Sequence, residues 1–593
     1  MSPDSAAAPN LPTWNLADLY AGPEAPEVER DLKDAGTKAA AFRKRYEGKL
    51  AGLDGAGFLE AILAYEVISE ILGRVGSYAQ LLYSGDMSNV EYGRFQQNIS
   101  ERSTEISLET LFFTLEINKL EDADIAAKLK HGPLQRFAPW LDAVRAFRPH
   151  QLSDEIEKLL HERDVVGRQA WMRLFDETMA DLRFDVGGKQ MTSNEALNLL
   201  YEQDGTRRKQ AADALAKGFK ENERVFALVT NTLAKEKEID DKWRSFARPV
   251  SSRNLANQVE DDVVDALVAA VKASYPQLSH RYYKLKAKWL GLPKLNYWDR
   301  NAPLPDDEDA PIAWDEAQSL VLNAYRDFSP KLAEVGKVFF DKGWIDVPPR
   351  PGKAPGAFAH PTVPSAHPYL LLNYHGRTRD VMTLAHELGH GVHQVLAGRQ
   401  GHLMADTPLT LAETASVFGE MLTFRAMLDG ETNAERKRAM LAGKVEDMLN
   451  TVVRQIAFFE FERRVHDERR NGELLPERLG EIFMAVQTES LGPAFDFDAE
   501  YRHFWCYIPH FVHSPFYVYA YAFGDCLVNS LYAVYQQADK GFAEKYIEML
   551  KAGGTKRHKE LLAPFGLDAS DPAFWRKGLS VVEGFIDELE KAK

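Results

Sequence analysis

From Glu27 to about Gly187, apolar residues recur every three or four positions between charged faces, as in Phe58 to Leu82 and Ile106 to Leu129. That spacing is the period of amphipathic helices. Nowhere does an apolar/polar alternation run long enough to build a large sheet. One candidate hairpin interrupts the pattern, Leu182 to Thr192 (LRFDVGGKQMT), whose Gly187-Gly188 pair suits a tight turn. It also offers a lobe boundary, dividing an N-terminal helical lobe, 1–190, from the remainder, 191–593. Helical patterning resumes after Ser193; the segment Asp262 to Tyr275 stops where Pro276 breaks it.

Two segments depart from this rhythm. Ala302 to Pro311 (APLPDDEDAP) is acidic and proline-rich, as an exposed loop would be, and Val347 to Pro368 contains seven prolines, which excludes a helix. Directly after the second comes the short apolar run Tyr369 to Tyr374 (YLLLNY), which reads as a buried strand, and its place suggests a sheet edge. The expected class is mainly α, with a small β element close to the motif described below.

A length of 593 residues exceeds one ordinary core, and 45% hydrophobic with 27% charged residues is a soluble balance. The formal net charge of −16 argues against a grip on nucleic acid, which needs clustered Lys and Arg. The first residues, MSPDSAAAPNLPTWNLADLY, lack the basic and apolar regions of a secretory signal, and no apolar run is long enough for a membrane span. Cys506 and Cys526 are the only cysteines, too few for a disulfide framework. A reducing, cytoplasmic setting fits these features best, although pairing elsewhere remains open.

The chemistry concentrates in His386-Glu387-Leu388-Gly389-His390, an H-E-x-x-H motif. Residues four apart on a helix lie one above the other, so both imidazoles project from one face, where they can hold a zinc ion while Glu387 serves as general base. Thr378 is a candidate cap, Asp380 falls in the first turn and Gly398 can close the helix. The bland alternative is a helix whose histidines are surface or satisfied core residues. A catalytic zinc takes three protein ligands. His393 shares the face, but one straight helix cannot bring three successive turns to one ion, so it is expected to pack. Positions 392 and 396 are Val and Leu, which excludes the extended motif with a third histidine.

The next predicted helix, Thr407 to Leu428, is strongly apolar yet carries Glu413 and Glu420, seven residues apart on one face. Burying a carboxylate is costly unless it meets a cation. Glu413 as the third ligand and Glu420 as a partner orienting a ligand histidine answer that cost. Solvent exposure, or pairing with Arg425, is the alternative. Near the C-terminus, Tyr517, Tyr521 and Gly524 are predicted to share a helix face, with Tyr519 pointing into the core. Such a stripe is more often core than site.

The stretch HPYLLLNYHGRTRDVMTLAHELGHGVH with LAETASVFGE resembles the oligoendopeptidase F group of the M3, thimet oligopeptidase-like, zinc peptidases. WNLADLY, LNYWDRNAPLP and IPHFVHSPFYVYAYAFG extend the likeness over most of the chain. It implies a two-lobed helical zincin fold with a deep substrate channel, in which 191–593 forms the catalytic domain. It implies one zinc per chain on His386, His390 and Glu413, with Glu387 as base and Glu420 behind the ligands. His510, Tyr517 and Tyr521 match residues that grip substrate and steady the transition state. His513 departs from the family pattern and has no assigned role. The expected activity is endopeptidase action on short peptides, with an extended substrate adding alongside Tyr369 to Tyr374. A zinc carboxypeptidase of similar build and a silent peptide-binding protein are the rival readings; oligomeric state is not predicted.

Overall fold

The computed structural model describes residues 11–164, 166–304, 311–538 and 540–591. Most of the acidic loop expected over Ala302 to Pro311 therefore lies outside the described residues. Helices dominate, with few small strands. Among the described residues no helix is long and apolar enough to cross a membrane.

The chain forms two compact units. One comprises Met1–Arg148, Asp309–Gly430 and Gln537–Gly566; the other comprises Pro149–Glu308, Glu431–Gln536 and Leu567–Lys593. A single cut near residue 190 does not separate them, because each unit is assembled from three stretches. The hairpin expected at that point lies inside the second unit. It forms as expected: Phe184–Val186 pairs antiparallel with Lys189–Met191, and Gly187 and Gly188 have φ of 62° and 87°. Two consecutive positive φ angles are the signature of a type I′ turn, which only glycine-like residues adopt cheaply.

In the first unit, helix Pro26–Tyr46 buries Val28, Leu32, Ala35, Ala39, Phe42 and Tyr46, the three-and-four spacing that predicted it. It packs against helix Gly55–Gly85, whose start is capped by Asp54 accepting from Gly57 N–H at 2.8 Å. The amphipathic run Ile106 to Leu129 is not one helix. It is divided among Val90–Leu108, Phe112–Lys119 and Asp122–Lys128, with Phe113, Ile117 and Ile125 each still buried.

A three-stranded sheet lies against helix Thr378–Ala397 of the same unit. Tyr369–Leu371 is its central strand, pairing in parallel with Ile345–Asp346 and antiparallel with Phe358–His360. This corrects the expectation of an edge strand: all three residues are buried and both edges are occupied, so no peptide can add there. The proline-rich segment itself supplies the outer strand, Phe358–His360. Local spacing could not reveal this, because strand order is set by tertiary pairing.

In the second unit, helix Gly205–Trp243 spans 39 residues, and helix Asp261–Ala273 packs against Pro572–Lys591. The expected start and stop of Asp262 to Tyr275 are thus met within two residues.

Candidate active site

Helix Thr378–Ala397 presents Val381, Leu384, Ala385, Leu388, Val392 and Leu396 to the core, which leaves His386 and His390 on a flank facing the following segment. Arg377, not Thr378, occupies its cap position. Asp380 anchors the start by accepting from the N–H groups of His375 and Arg377 at 2.8 and 2.9 Å. At the far end Gly398 closes the helix as expected, its N–H donating to Gln394 O while its backbone stays in the right-handed region; Gly401, with φ 85°, ends the short turn that follows.

The predicted single helix from Thr407 to Leu428 is broken. Leu409–Ala412 forms one turn, residues 413–415 form a bend, and Ser416–Gly430 continues. Glu413 stands at the break, not on a shared face with Glu420. Its Oε2 lies 3.3 Å from His386 Nε2 and 3.4 Å from His390 Nε2. Ser416 Oγ donates to the same oxygen at 2.7 Å. The other nitrogen of His386, Nδ1, is 3.3 Å from Glu420 Oε2. One imidazole is thus held between two carboxylates, and the two rings stand 4.9 Å apart at 79°.

Gly389 makes this convergence possible. A Cβ there would sit 2.5 Å from Ala415 O and 2.6 Å from Ser416 Cα, far inside contact distance. Backbone therefore meets backbone, which brings the bend carrying Glu413 against the two histidines. Two buried tyrosines brace the arrangement: Tyr325 Oη donates to Ala385 O and Tyr546 Oη to Thr414 O, each at 2.6 Å.

The electrostatics match a cation site. Burial opposes charge on His386, but its hydrogen bond to Glu420 and the charges of Glu413, Glu420 and Glu387 outweigh it and raise its pKa to about 9. Burial likewise opposes charge on Glu413, yet His390, His386 and Ser416 hold it down at about 2. Glu387 is 8% exposed, and burial raises its carboxyl above the usual range. His386, His390 and Glu413 offer ligand atoms that all lie within 4.8 Å of one another. Two imidazole nitrogens and one carboxylate oxygen are the donor set of a catalytic divalent-metal site.

His393 does not join them. It is buried, its Nε2 lies 3.4 Å from Thr407 Oγ1, and burial lowers its pKa to about 4, as expected of a packed neutral ring.

The C-terminal candidates form their own cluster within the second unit. His510 Nε2 lies 3.3 Å from Tyr521 Oη, and the Tyr517 and Tyr521 rings are 5.2 Å apart. Burial, with Arg454 and His513 nearby, lowers the pKa of His510. Tyr517 is not on a helix with Tyr521: the helix is Tyr519–Gln537, and Tyr517 belongs to the turn before it. Tyr519 is fully buried and accepts from Asn257 Nδ2 at 2.9 Å, the core role expected. His513 pairs with Asp176 at 2.8 Å. Sequence reading missed Ser416, Tyr325 and Tyr546. Only Ser416 left a signal, three residues after Glu413 in A-E-T-A-S.

Comparison with known proteins identifies the family. The profile of peptidase family M3 matches residues 198–581, and that of oligopeptidase F matches 116–184. Oligopeptidase PepF of Bacillus subtilis is 28% identical over 99% of this chain and 88% of its own length. The oligoendopeptidase F homolog of Borreliella burgdorferi is 27% identical over 98% of each chain. Among solved structures, the oligoendopeptidase-F of Enterococcus faecium superposes with TM-score 0.71 at 24% identity, covering 96% of this chain and 97% of its own. A Chlamydophila abortus chain reaches 0.87 at 24% identity over 98% of each. With the family profile spanning well over half of the sequence, this chain belongs to peptidase family M3 and is a metallo-endopeptidase.

Proposed function

We propose that the enzyme uses zinc, one ion per chain, and hydrolyses internal bonds of short peptides. The observation that carries this reading is the meeting of His386, His390 and Glu413 donor atoms within 4.8 Å, beside buried Glu387. Zinc in such a site supplies Lewis acidity, lowering the pKa of water to about 7 and polarising a carbonyl.

The chain's own groups divide the remaining work. Glu420 accepts from His386 Nδ1, which fixes the tautomer and leaves the Nε2 lone pair free as a ligand. Glu387 takes the proton of the attacking water on a carboxylate oxygen and passes it to the departing amine nitrogen. Its raised pKa brings it nearer the working pH and makes that return transfer easier. His510, Tyr517 and Tyr521 donate hydrogen bonds to the bound peptide as negative charge grows on the carbonyl oxygen. The outer strand Phe358–His360 replaces Tyr369–Leu371 as the edge offering main-chain hydrogen bonds to an extended peptide. Such pairing fixes direction while tolerating varied side chains, and the oligopeptidase names of the relatives support short peptides as the substrate class. Two buried, unpaired cysteines support a cytoplasmic setting.

An internally quenched peptide blocked at both ends tests this directly. It should be cut, the cutting should stop with a zinc chelator, and added zinc should restore it. Intact blocked peptides beside trimmed free C-termini would replace this reading with a carboxypeptidase.

A further inference from the structure

Ser514-Pro515-Phe516-Tyr517 is a tight turn, closed by Tyr517 N–H donating to Ser514 O at 3.0 Å. Phe516 has φ 58°, in the left-handed region. Proline at the second position with positive φ at the third is the type II pattern, in which the third residue is normally glycine or asparagine. A phenylalanine prefers the type I form. There the central peptide unit is rotated by about 180°, so that its C=O and N–H point the opposite ways.

Here that one peptide unit is held at both ends. Phe516 N–H donates to Glu462 Oε1 at 2.8 Å, and Pro515 C=O accepts from Arg253 Nε at 3.3 Å. Glu462 is buried, and its Oε2 has no hydrogen-bond partner among the described residues, so its burial has no other evident purpose. Burial pushes its carboxyl up to about 8, so it meets the N–H as a neutral acid. The Arg253 guanidinium lies 5.9 Å from the centre of the Tyr517 ring. The Phe516 ring is fully buried, packed at 4.9 Å from His466 and 5.9 Å from Phe459. The turn then feeds the helix start, where Ala520 N–H donates to Tyr517 O and Tyr521 N–H to Val518 O.

We propose that Glu462 and Arg253 are positioning residues: by clamping the Pro515–Phe516 peptide unit, they hold the turn that sets the direction of Tyr517 and Tyr521. Flipping that unit would redirect Tyr517 while leaving the metal ligands untouched. The proposal rests on the reading that these tyrosines act on the bound peptide.

The test is a mutant cycle on the zinc-loaded enzyme with a quenched peptide, scoring kcat, KM, zinc content and melting temperature. Glu462→Gln keeps a neutral carbonyl acceptor for the Phe516 N–H and should turn over close to the parent rate. Glu462→Ala, and independently Arg253→Ala at the less buried end, should lower kcat by about 10²-fold with zinc content unchanged, as a misplaced donor does. In a Tyr517→Phe/Tyr521→Phe background the same two changes should add no further loss. Equal losses in both backgrounds, parent-like kcat in both alanine variants, or a Glu462→Gln as impaired as Glu462→Ala would overturn the clamp. If Glu462→Ala fails to fold, Arg253→Ala decides alone. If the double phenylalanine enzyme keeps full activity, the tyrosine reading itself falls, an outcome separate from failure of the clamp.

Discussion

Glu387 and Glu462 are both buried carboxyls, and their surroundings divide their roles. Glu387 adjoins two imidazoles that draw its charge out, against the burial that suppresses it. Removing that charge without changing shape should therefore separate chemistry from metal binding. Glu387→Gln should lower kcat by about 10²–10⁴-fold with zinc content near one per chain, as activity assays alongside metal analysis would show. Glu462 meets the weaker influence of Arg253 and Lys237, and its folded pKa stands near 8 against an ordinary 4.5. The folded state thus holds a proton that the unfolded chain releases. Stability from this group is complete below about 4.5 and is lost as pH rises towards 8. Melting curves of the parent should fall across that window relative to Glu462→Gln; parallel curves would contradict the burial argument. Tyr521→Phe removes one hydroxyl and should slow turnover by about 10²–10³-fold while leaving the melting temperature in place. At this scale the sequence was informative. The H-E-x-x-H spacing named two candidate ligands and a candidate base, and the cost of a buried acid pointed to Glu413 as a third candidate, whose Oε2 lies within 3.4 Å of both imidazoles.

Elements were less legible where tertiary contact overrides local pattern. Apolar periodicity ran unbroken through Thr407 to Leu428, yet the chain bends at Glu413, because the neighbouring helix approaches so closely at Gly389. That approach makes a prediction. Gly389→Ala should push the bend away, costing about 1–3 kcal/mol as overpacking does, and should reduce zinc occupancy without touching a ligand. Unchanged occupancy would show that the bend has room to spare. The Pro515–Phe516 turn was hidden for a similar reason. Its left-handed phenylalanine costs about 1–2 kcal/mol, which burial of the ring, worth about 1.5–3 kcal/mol, offsets. No local rule signals a glycine position filled by a ring that only the folded core can reward. Strand order was likewise invisible, since Tyr369–Leu371 reads the same whether central or at an edge, and of its two partners one precedes the proline-rich segment and the other lies within it.

At the scale of the whole molecule, helical period gave the class, while the division of the chain needed contacts. One family profile ends at residue 184 and the other begins at 198. The compact units part elsewhere, at Arg148, Glu308, Gly430, Gln536 and Gly566, because chain continuity and spatial packing are separate properties. The candidate metal ligands fall in the first unit, whereas His510, Tyr517 and Tyr521 fall in the second. One measurement reaches the centre of this account: anomalous diffraction at the zinc edge from crystals of the purified enzyme. A single strong peak per chain, bounded by His386 Nε2, His390 Nε2 and Glu413, is expected. A peak elsewhere, or side chains at 386, 390 and 413 that bind no ion after soaking with zinc, would contradict it.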